Sequence, residues 1–378
     1  MQLRRRKAEK RSASLPLSVE STGLFLQALS LTWSSCNMKN RILILLAVLL
    51  QATTHAQTFS RVGTSMAQFL KIPAGARGAA LGGAYAAASE DVYAMAWNPA
   101  GIGRIRETSL GGTYNTYIAD IKYSFIGVSI PVDASSSFGV SGMFITTDPI
   151  EITTIQQPNG TGTYYDYSGL VIGASYSRWL TDRLTVGVTI KMVREAIYRE
   201  QASALAFDIG SQFDTGLYGI RLAMAVTNFG GKMQMDGPDI NSSSNTNPNL
   251  QGTRDTDAKL RTVEWPLPMI FRMGIMMDIW GGNNQIIQND MNRFTLIVDA
   301  NDPLDHNLRA NLGVEYEWNR LFALRAGQHI NYDDNTLGIT FGGGLKLNSG
   351  GAKFSIDYAY QDFGILNSVH QYTLSFYF

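Results

Sequence analysis

The chain has few of the residues on which disulfides, thiol catalysis or metal sites depend. Its 378 residues include one cysteine, Cys36, and four histidines. Cys36 precedes the signal peptide that the sequence predicts, so the mature chain from Gln57 would contain no cysteine, which excludes a disulfide scaffold, a catalytic thiol and a cysteine-ligated zinc site. The motifs His-Glu-x-x-His and Gly-x-Ser-x-Gly do not occur. We therefore expect a protein that is not an enzyme and that has no metal and no cofactor.

Neither sign of charge is in excess. The sequence holds 31 basic and 31 acidic residues, so the formal net charge is zero. Nucleic acid is bound mainly through neutralisation of its phosphates by clustered Lys and Arg. The composition gives no electrostatic basis for such binding, and we do not expect nucleic acid as a partner.

The sequence has no apolar run that could form a membrane-spanning helix. Residues 42–50 are apolar without interruption, but a spanning helix needs about 20 such residues. The basic stretch 38–41 precedes this run and Thr-His-Ala follows at 54–56, which together predict a signal peptide over 38–56 with cleavage after Ala56. We interpret residues 1–37 as a misread upstream extension; a functional basic tail is the alternative.

The end of the chain carries a clear strand pattern. Residues 371–378 alternate polar with large apolar side chains, which predicts a strand with one wet and one apolar face. The closing strand of a transmembrane barrel has this form, since lipid covers its apolar side. An aromatic last residue also resembles the terminal assembly signal of bacterial outer-membrane barrels. The predicted assembly signal consists of Tyr372, Leu374, Phe376 and Phe378.

The same period of two recurs along the chain. It predicts an all-β fold, a 14-stranded antiparallel transmembrane β-barrel in the outer membrane, over residues 107–378. In the clearest segment Arg309, Glu315 and Glu317 share one face, which must meet water. Connections mostly alternate between long and short, with 281–291 as the one exception, which predicts periplasmic termini and long outer loops. The predicted strands are 107–116, 121–131, 136–147, 164–179, 183–195, 202–214, 218–228, 267–280, 292–301, 307–318, 321–331, 336–347, 352–362 and 369–378.

A barrel of this size needs something to fill its lumen. Eight strands leave an interior that side chains fill, whereas sixteen or more leave an open channel. We predict that residues 57–106 form an N-terminal plug inside the barrel. Their abundant Gly and Ala would permit close backbone packing, and bulky residues such as Trp97 distinguish them from a linker.

The plug segment also carries a family resemblance. Its motif resembles the N-terminal signature of the PorV/PorQ outer-membrane family, which is related to the FadL-type fatty-acid transporters. The residues that carry the resemblance are Gly75, Ala76, Arg77, Gly82, Gly83, Asp91, Trp97, Asn98, Pro99, Ala100 and Gly101.

The resemblance implies a FadL-like barrel with a plug and one of two non-enzymatic roles. PorV-type members serve type IX secretion, with the translocon, the attachment complex or secreted cargo as partners. FadL-type members transport hydrophobic small molecules across the outer membrane. Either protein would also contact outer-membrane lipid and lipopolysaccharide.

Two further groups of residues lie in predicted connections. Met233, Met235 and Trp265 fall in or beside the longest one, 229–266, and we predict that they form a partner-binding loop, because methionine suits adaptable surfaces. A group of aspartates, Asp299, Asp302 and Asp305, surrounds a shorter connection. Such oxygens could hold Ca²⁺, but solvated turn residues are the expected interpretation.

Overall fold

The computed structural model describes residues 62–244, 256–282, 285–332, 338–349 and 352–378. The predicted signal peptide (38–56), the extension before it (1–37) and the first residues of the predicted plug (57–61) lie outside the described residues. In the part of the chain that is described, no helix is both long enough and apolar enough to cross a membrane.

Within the described residues, fourteen long antiparallel strands form a closed sheet, which confirms the predicted barrel. Each strand pairs with the next along the chain, and the last pairs with the first through Ser109↔Tyr377 to Thr116↔His370. The strands, labelled in chain order, are β1 Ser109–Thr116, β2 Lys122–Pro131, β3 Ser136–Thr146, β4 Tyr167–Trp179, β5 Leu184–Ile197, β6 Glu200–Asp214, β7 Ile220–Gly230, β8 Ile270–Gly281, β9 Asn292–Pro303, β10 Arg309–Trp318, β11 Phe322–Ile330, β12 Ile339–Ser349, β13 Ala352–Asp362 and β14 Ser368–Tyr377.

Short elements lie in the plug and in the connections. The plug contains the helices α1 (Ala76–Ala80) and α2 (Ala94–Trp97) and the 3-10 turns Gln68–Lys71 and Pro99–Arg104; further 3-10 turns are Ile118–Asp120, Pro238–Ile240 and Gly364–Leu366. The short strand pairs are Ile150–Glu151 with Tyr164–Tyr165, Lys232–Met233 with Trp265–Pro266, Asn241–Ser244 with Thr256–Lys259, and Ile287–Gln288 beside β8.

Side chains alternate between the two sides of the wall. On β11, Leu324 is 66% exposed whereas the next residue, Arg325, is 4% exposed. Apolar side chains face outward in this way around the barrel. The lumen side is mostly charged and polar, except for an apolar group on β2 to β5 that includes Phe125, Ile145 and Val171. Because successive strand residues point to opposite faces, one period-two pattern gives both a lipid-facing surface and a polar interior.

The two ends of the barrel differ in loop length. We call the end that carries Ser109 and Tyr377 the terminal end, and the opposite end the long-loop end. Connections at the long-loop end include 147–166 and 231–269, whereas those at the terminal end are mostly short, such as 132–135 and 319–321. The predicted connection 196–201 was too long. Only two residues link β5 to β6, because Tyr198 adopts a left-handed φ of 53° that a tight hairpin turn can use.

The predicted assembly signal lies on the outward face of β14. Tyr372, Leu374, Phe376 and Phe378 are all exposed on this face, and the Phe378 N–H donates to the Thr108 carbonyl oxygen at 2.9 Å. Deleting Phe378 should lower the amount of assembled barrel severalfold, because the strand loses its last apolar contact and the final bond across the β14–β1 seam. The readout is the heat-modifiable species in outer-membrane fractions. The variant Phe378→Tyr keeps the ring and the backbone bond and serves as control. Equal assembly of the deletion and the control would contradict the role of the last residue.

Candidate functional site: the plug and the long-loop end

The plug crosses the lumen from one end of the barrel to the other. Near the long-loop end the Met66 N–H donates to the Pro266 carbonyl oxygen at 3.0 Å, and at the terminal end the plug leads into β1. At mid-height its backbone touches the wall directly, since a Cβ atom on Gly327 would lie 2.1 Å from the Gly82 nitrogen. Gly82 itself has a φ of +64°. Glycine is required at both positions, for close approach and for backbone conformation.

The Trp97–Gly101 segment wedges against β5 and β6. The Trp97 indole N–H donates to the Ala74 carbonyl oxygen at 2.8 Å, and its ring packs edge-on against Tyr85. The Asn98 side chain is fully buried and donates to the carbonyl oxygens of Ala86 (3.0 Å) and Ser211 on β6 (3.1 Å). Its Oδ1 accepts the Ala100 N–H and caps the following 3-10 turn. Asn98 therefore joins two parts of the plug to the barrel wall.

Arg77 on α1 is held by a buried ion-pair chain. Its Nη2 and Nε donate to the two carboxylate oxygens of Glu315 at 2.7 and 2.9 Å. Glu315 also accepts from Arg325 at 2.6 Å, and Arg325 donates to Asp357 at 2.6 Å. The side chains of Glu315 and Arg325 are each 1% exposed. Two-point guanidinium–carboxylate pairs are among the stronger charge-assisted hydrogen bonds, so this chain ties the plug to β10, β11 and β13.

Glu90 is the second charged anchor of the plug. Its carboxylate lies 3.2 Å from Arg221, 3.7 Å from Arg293 and 3.8 Å from Arg77. Burial opposes ionisation, but these three guanidinium groups outweigh it and hold the pKa of Glu90 well below its usual value. The group borders a cavity of about 710 Å³ at the terminal end, lined by charged residues of both signs.

Asp91 makes its hydrogen bonds within the plug. Its carboxylate accepts hydrogen bonds from the Tyr85 hydroxyl and from the Tyr93 N–H at 3.0 Å. Burial raises the pKa of Asp91, and Arg77 only partly offsets that effect. Asp91 thus fixes the fold of the plug loop, whereas Arg77 makes the contact with the lumen wall.

The structure corrects the expectation for two of the three aspartates. Asp299 and Asp305 are fully buried, and Asp302 alone is exposed. Asp299 accepts the backbone N–H groups of Tyr85 and Ala86, both at 2.7 Å. The sequence pattern around a turn could not show that the plug would cover these carboxylates. Among the residues that the structure describes, no cluster of His, Cys, Asp and Glu suits a metal ion.

Asp305 forms a latch over the start of the plug. It accepts from the Ser65 hydroxyl at 2.5 Å, from the Gln68 amide at 2.8 Å and from the Lys71 ammonium at 2.7 Å. Burial alone would raise the pKa of Asp305, but the hydrogen bonds from Lys71, Ser65 and Gln68 outweigh it and keep this pKa low. In the unfolded chain the pKa of an aspartate is about 3.9, so ionised Asp305 stabilises the folded plug fully above that pH. This stabilisation is lost as the pH falls through the lower pKa that Asp305 has in the folded protein.

Replacing Asp305 by Asn should loosen residues 62–72. The amide keeps one acceptor oxygen but loses the charge, and its NH2 group lies against existing donors such as Lys71, which should cost about 1–3 kcal/mol of local stability. Faster hydrogen exchange in this segment at pH 7 is the readout, and the wild-type protein should show similar loosening only below pH 4. The matched control is Asp302→Asn, which changes an exposed neighbour. Unchanged exchange in Asp305→Asn would show that apolar packing alone holds the segment.

The predicted partner-binding loop is only partly exposed. Met233 is fully buried in an apolar cluster with Leu267, Met235 is partly buried, and Trp265 is 39% exposed. The expectation that Met233 lies on the binding surface is therefore wrong in this structure. Its segment pairs with Trp265–Pro266, and alternation along the pair turns Met233 inward. The sequence reasoning missed two exposed apolar residues of this loop, Leu260 and Val263.

Comparison with known proteins gives a family and a fold. The family model described as "Type IX secretion system protein PorV" matches residues 54–256, just over half of the chain. A search of curated proteins gave no match. Among solved structures, the Pseudomonas putida toluene transporter TodX aligns at 14% identity and a TM-score of 0.50, covering 80% of this chain and 97% of that one.

Two further solved structures align over a similar length. The Ralstonia pickettii toluene transporter TbuX has 13% identity and a TM-score of 0.50, with 80% of this chain and 97% of that one covered. A Pseudomonas aeruginosa FadL homologue has 13% identity and a TM-score of 0.48, with 79% and 97% covered. At such identities the likeness to the two toluene transporters supports the barrel fold alone.

Proposed function

Because this chain belongs to the family of the type IX secretion system protein PorV, we propose that it is a non-enzymatic accessory barrel of type IX secretion. In this proposal its long-loop end faces the cell exterior and docks protein partners, which are secreted cargo or subunits of the translocon or attachment complex. The plug keeps the lumen closed while the partners are exchanged.

The way in which the plug is held is the observation that carries this proposal. Arg77 and Glu90 meet charged side chains from several strands, and the Arg77–Glu315 pair is buried. An apolar chain passing through the lumen would have to separate or desolvate these groups, which is costly. A barrel closed in this manner is better suited to binding partners at its rim than to passing molecules through its lumen.

The rim has a fixed base and exposed apolar residues. The base of the 231–269 loop is held by the Lys232–Met233 and Trp265–Pro266 pair and by a bridge between Gln201 and Asp236. Leu260, Val263 and Trp265 are exposed above it. Protein interfaces concentrate their binding energy in a few such apolar and aromatic contacts. We assign the docking role to the 231–269 loop as a whole, including these exposed residues but without the buried Met233.

The FadL-type alternative rests on a different observation. An apolar cluster lies under the long-loop end, and plug residues Phe69 and Leu70 fill it against Phe125, Ile145 and Val171. A hydrophobic small molecule could occupy this volume only after Phe69 moved away. The alternative therefore predicts ligand-dependent displacement of the first plug turn, whereas the docking proposal requires no such movement.

Shortening the loop tests the docking proposal directly. The Leu260 N–H donates to the Ile240 carbonyl oxygen at 2.8 Å, so residues 241–259 can be replaced by Asn-Gly without moving the base. We expect this variant, and Leu260→Ser with Val263→Ser, to lose most of the co-purifying secretion partners while uptake of hydrophobic molecules stays unchanged. The control is Ile155→Ser, which removes a 95% exposed apolar side chain from another loop. Lost uptake with intact secretion would favour the FadL-type alternative.

A further inference from the structure

A groove on the outer surface of the barrel lies outside the lumen and goes beyond the proposed function. It is at the long-loop end, where β5 and β6 meet the folded-back start of the 231–269 connection. The Gly231 N–H donates to the Leu205 carbonyl oxygen at 3.1 Å, and Asp236 exchanges two backbone hydrogen bonds with Gln201 at 2.9 Å. The connection thus continues the wall beside β6 and forms one side of the groove.

The groove carries more cations than carboxylates. Arg194, Lys232 and Lys259 line it together with Asp236 and Glu264. Lys259 is paired with Asp236. Arg194 donates to the Gln201 amide oxygen at 2.5 Å, and neither Arg194 nor Lys232 forms an ion pair with any described residue. Two exposed cations of this concave site therefore have no anionic partner among the described residues.

The position of these cations relative to the lipid-facing surface is informative. Arg194 is on the outward face of β5, two residues from Met192, and two residues in an extended strand span about 7 Å. The facing pairs are Met192↔Leu205 and Arg194↔Ser203. Met192 and Leu205 thus mark the edge of the apolar, lipid-facing surface. The next facing pair towards the long-loop end, Arg194 and Ser203, carries a cation and a hydroxyl group. This is the level at which lipid headgroups meet a membrane protein.

We propose that this groove binds the phosphorylated sugar headgroup of a lipopolysaccharide molecule, with Arg194 and Lys232 contacting its phosphates. The outer leaflet is the source because long loops of outer-membrane barrels face the exterior. Ser203, Gln201 and Gln234 supply polar contacts to sugar hydroxyls. The acyl chains follow the apolar side chains of Met192 and Leu205 below.

Binding of purified lipid A to the full-length protein in detergent micelles tests this proposal, with native mass spectrometry as the readout. We expect bisphosphorylated lipid A to bind the wild-type protein, and Arg194→Gln with Lys232→Gln to bind it roughly tenfold to thirtyfold more weakly. Glu264→Gln should bind more tightly, because it removes a carboxylate that repels phosphate. This gain cannot arise from misfolding.

The matched control changes cations at the opposite end of the barrel. Arg178 and Arg183 are exposed at the terminal end, so Arg178→Gln with Arg183→Gln should leave lipid A binding unchanged. Wild-type affinity in the groove double variant, or an equal loss in the control, would overturn the site. Equal affinity for dephosphorylated lipid A would overturn the role of phosphate, and equal affinity for phosphatidylglycerol would overturn the assignment to lipopolysaccharide.

Discussion

Excising residues 62–104, so that residue 61 joins Ile105, should turn the closed barrel into an open channel. The fourteen strands enclose a lumen lined mostly by polar and charged side chains, and the plug is the segment that fills it. Barrels of more than eight strands have an interior wider than their own side chains fill. Conductance across planar bilayers should rise many-fold and become ohmic, with increased permeability to small hydrophilic solutes.

The deletion must be shown to leave the barrel folded. Heat-modifiable migration should persist, because the β14–β1 and β7–β8 pairings close the sheet without the plug. The double variant Arg104→Gln with Arg106→Gln keeps the plug in place and should conduct no more than the wild-type protein. Unchanged conductance in the deletion would mean that the wall and its loops close the lumen by themselves.

Replacing Glu315 by Gln should cause a large loss of stability, because its carboxylate joins two buried guanidinium groups. The change removes the two-point partner of Arg77, which keeps only the more distant Glu90 at 3.8 Å, and it removes one of the two carboxylates of Arg325. Breaking a buried ion pair by removing one member typically costs about 3–5 kcal/mol, because the other charge remains buried. The free energy of unfolding in lipid vesicles, followed by urea titration and tryptophan fluorescence, should fall by about this amount.

Two comparisons separate charge from volume. The double variant Arg77→Met with Glu315→Met removes both members of the buried ion pair, and Arg325 keeps its ion pair with Asp357. The double variant should therefore be less destabilised than Glu315→Met alone. Glu107→Gln breaks an exposed pair with Lys353 and should cost less than about 1 kcal/mol. Equal losses in the Glu315 and Glu107 variants would show that burial does not control the strength of this contact.

Much of the wall was predictable because its signal is local. Strand β10 is bounded by residues 309 and 318 where 307–318 was predicted, and Glu315 and Glu317 face the lumen as expected. The errors lie where a local pattern carries no information. The β5–β6 turn was predicted four residues too long, since the pattern does not report that Tyr198 takes a left-handed conformation.

The residues that hold the plug were less predictable. Arg77 was singled out from the family resemblance, but its partner Glu315 lies 238 residues further along the chain. Glu90, with its three arginines, was missed altogether. A charged residue beside Asp91 carries no periodic signal, and only its occurrence as a charged residue in a segment otherwise rich in Gly and Ala could have drawn attention to it.

The sequence by itself determined that this chain forms a closed, antiparallel, lipid-facing barrel, because alternation at every second residue is a property of neighbouring side chains. It also placed a small-residue segment before the first strand and gave its family resemblance. Only the tertiary structure decided which charges meet, that Asp299 and Asp305 are buried, and that Met233 turns inward. Those outcomes depend on which wall the plug faces and how the longest connection folds back, and both are set by contacts between residues far apart in the chain.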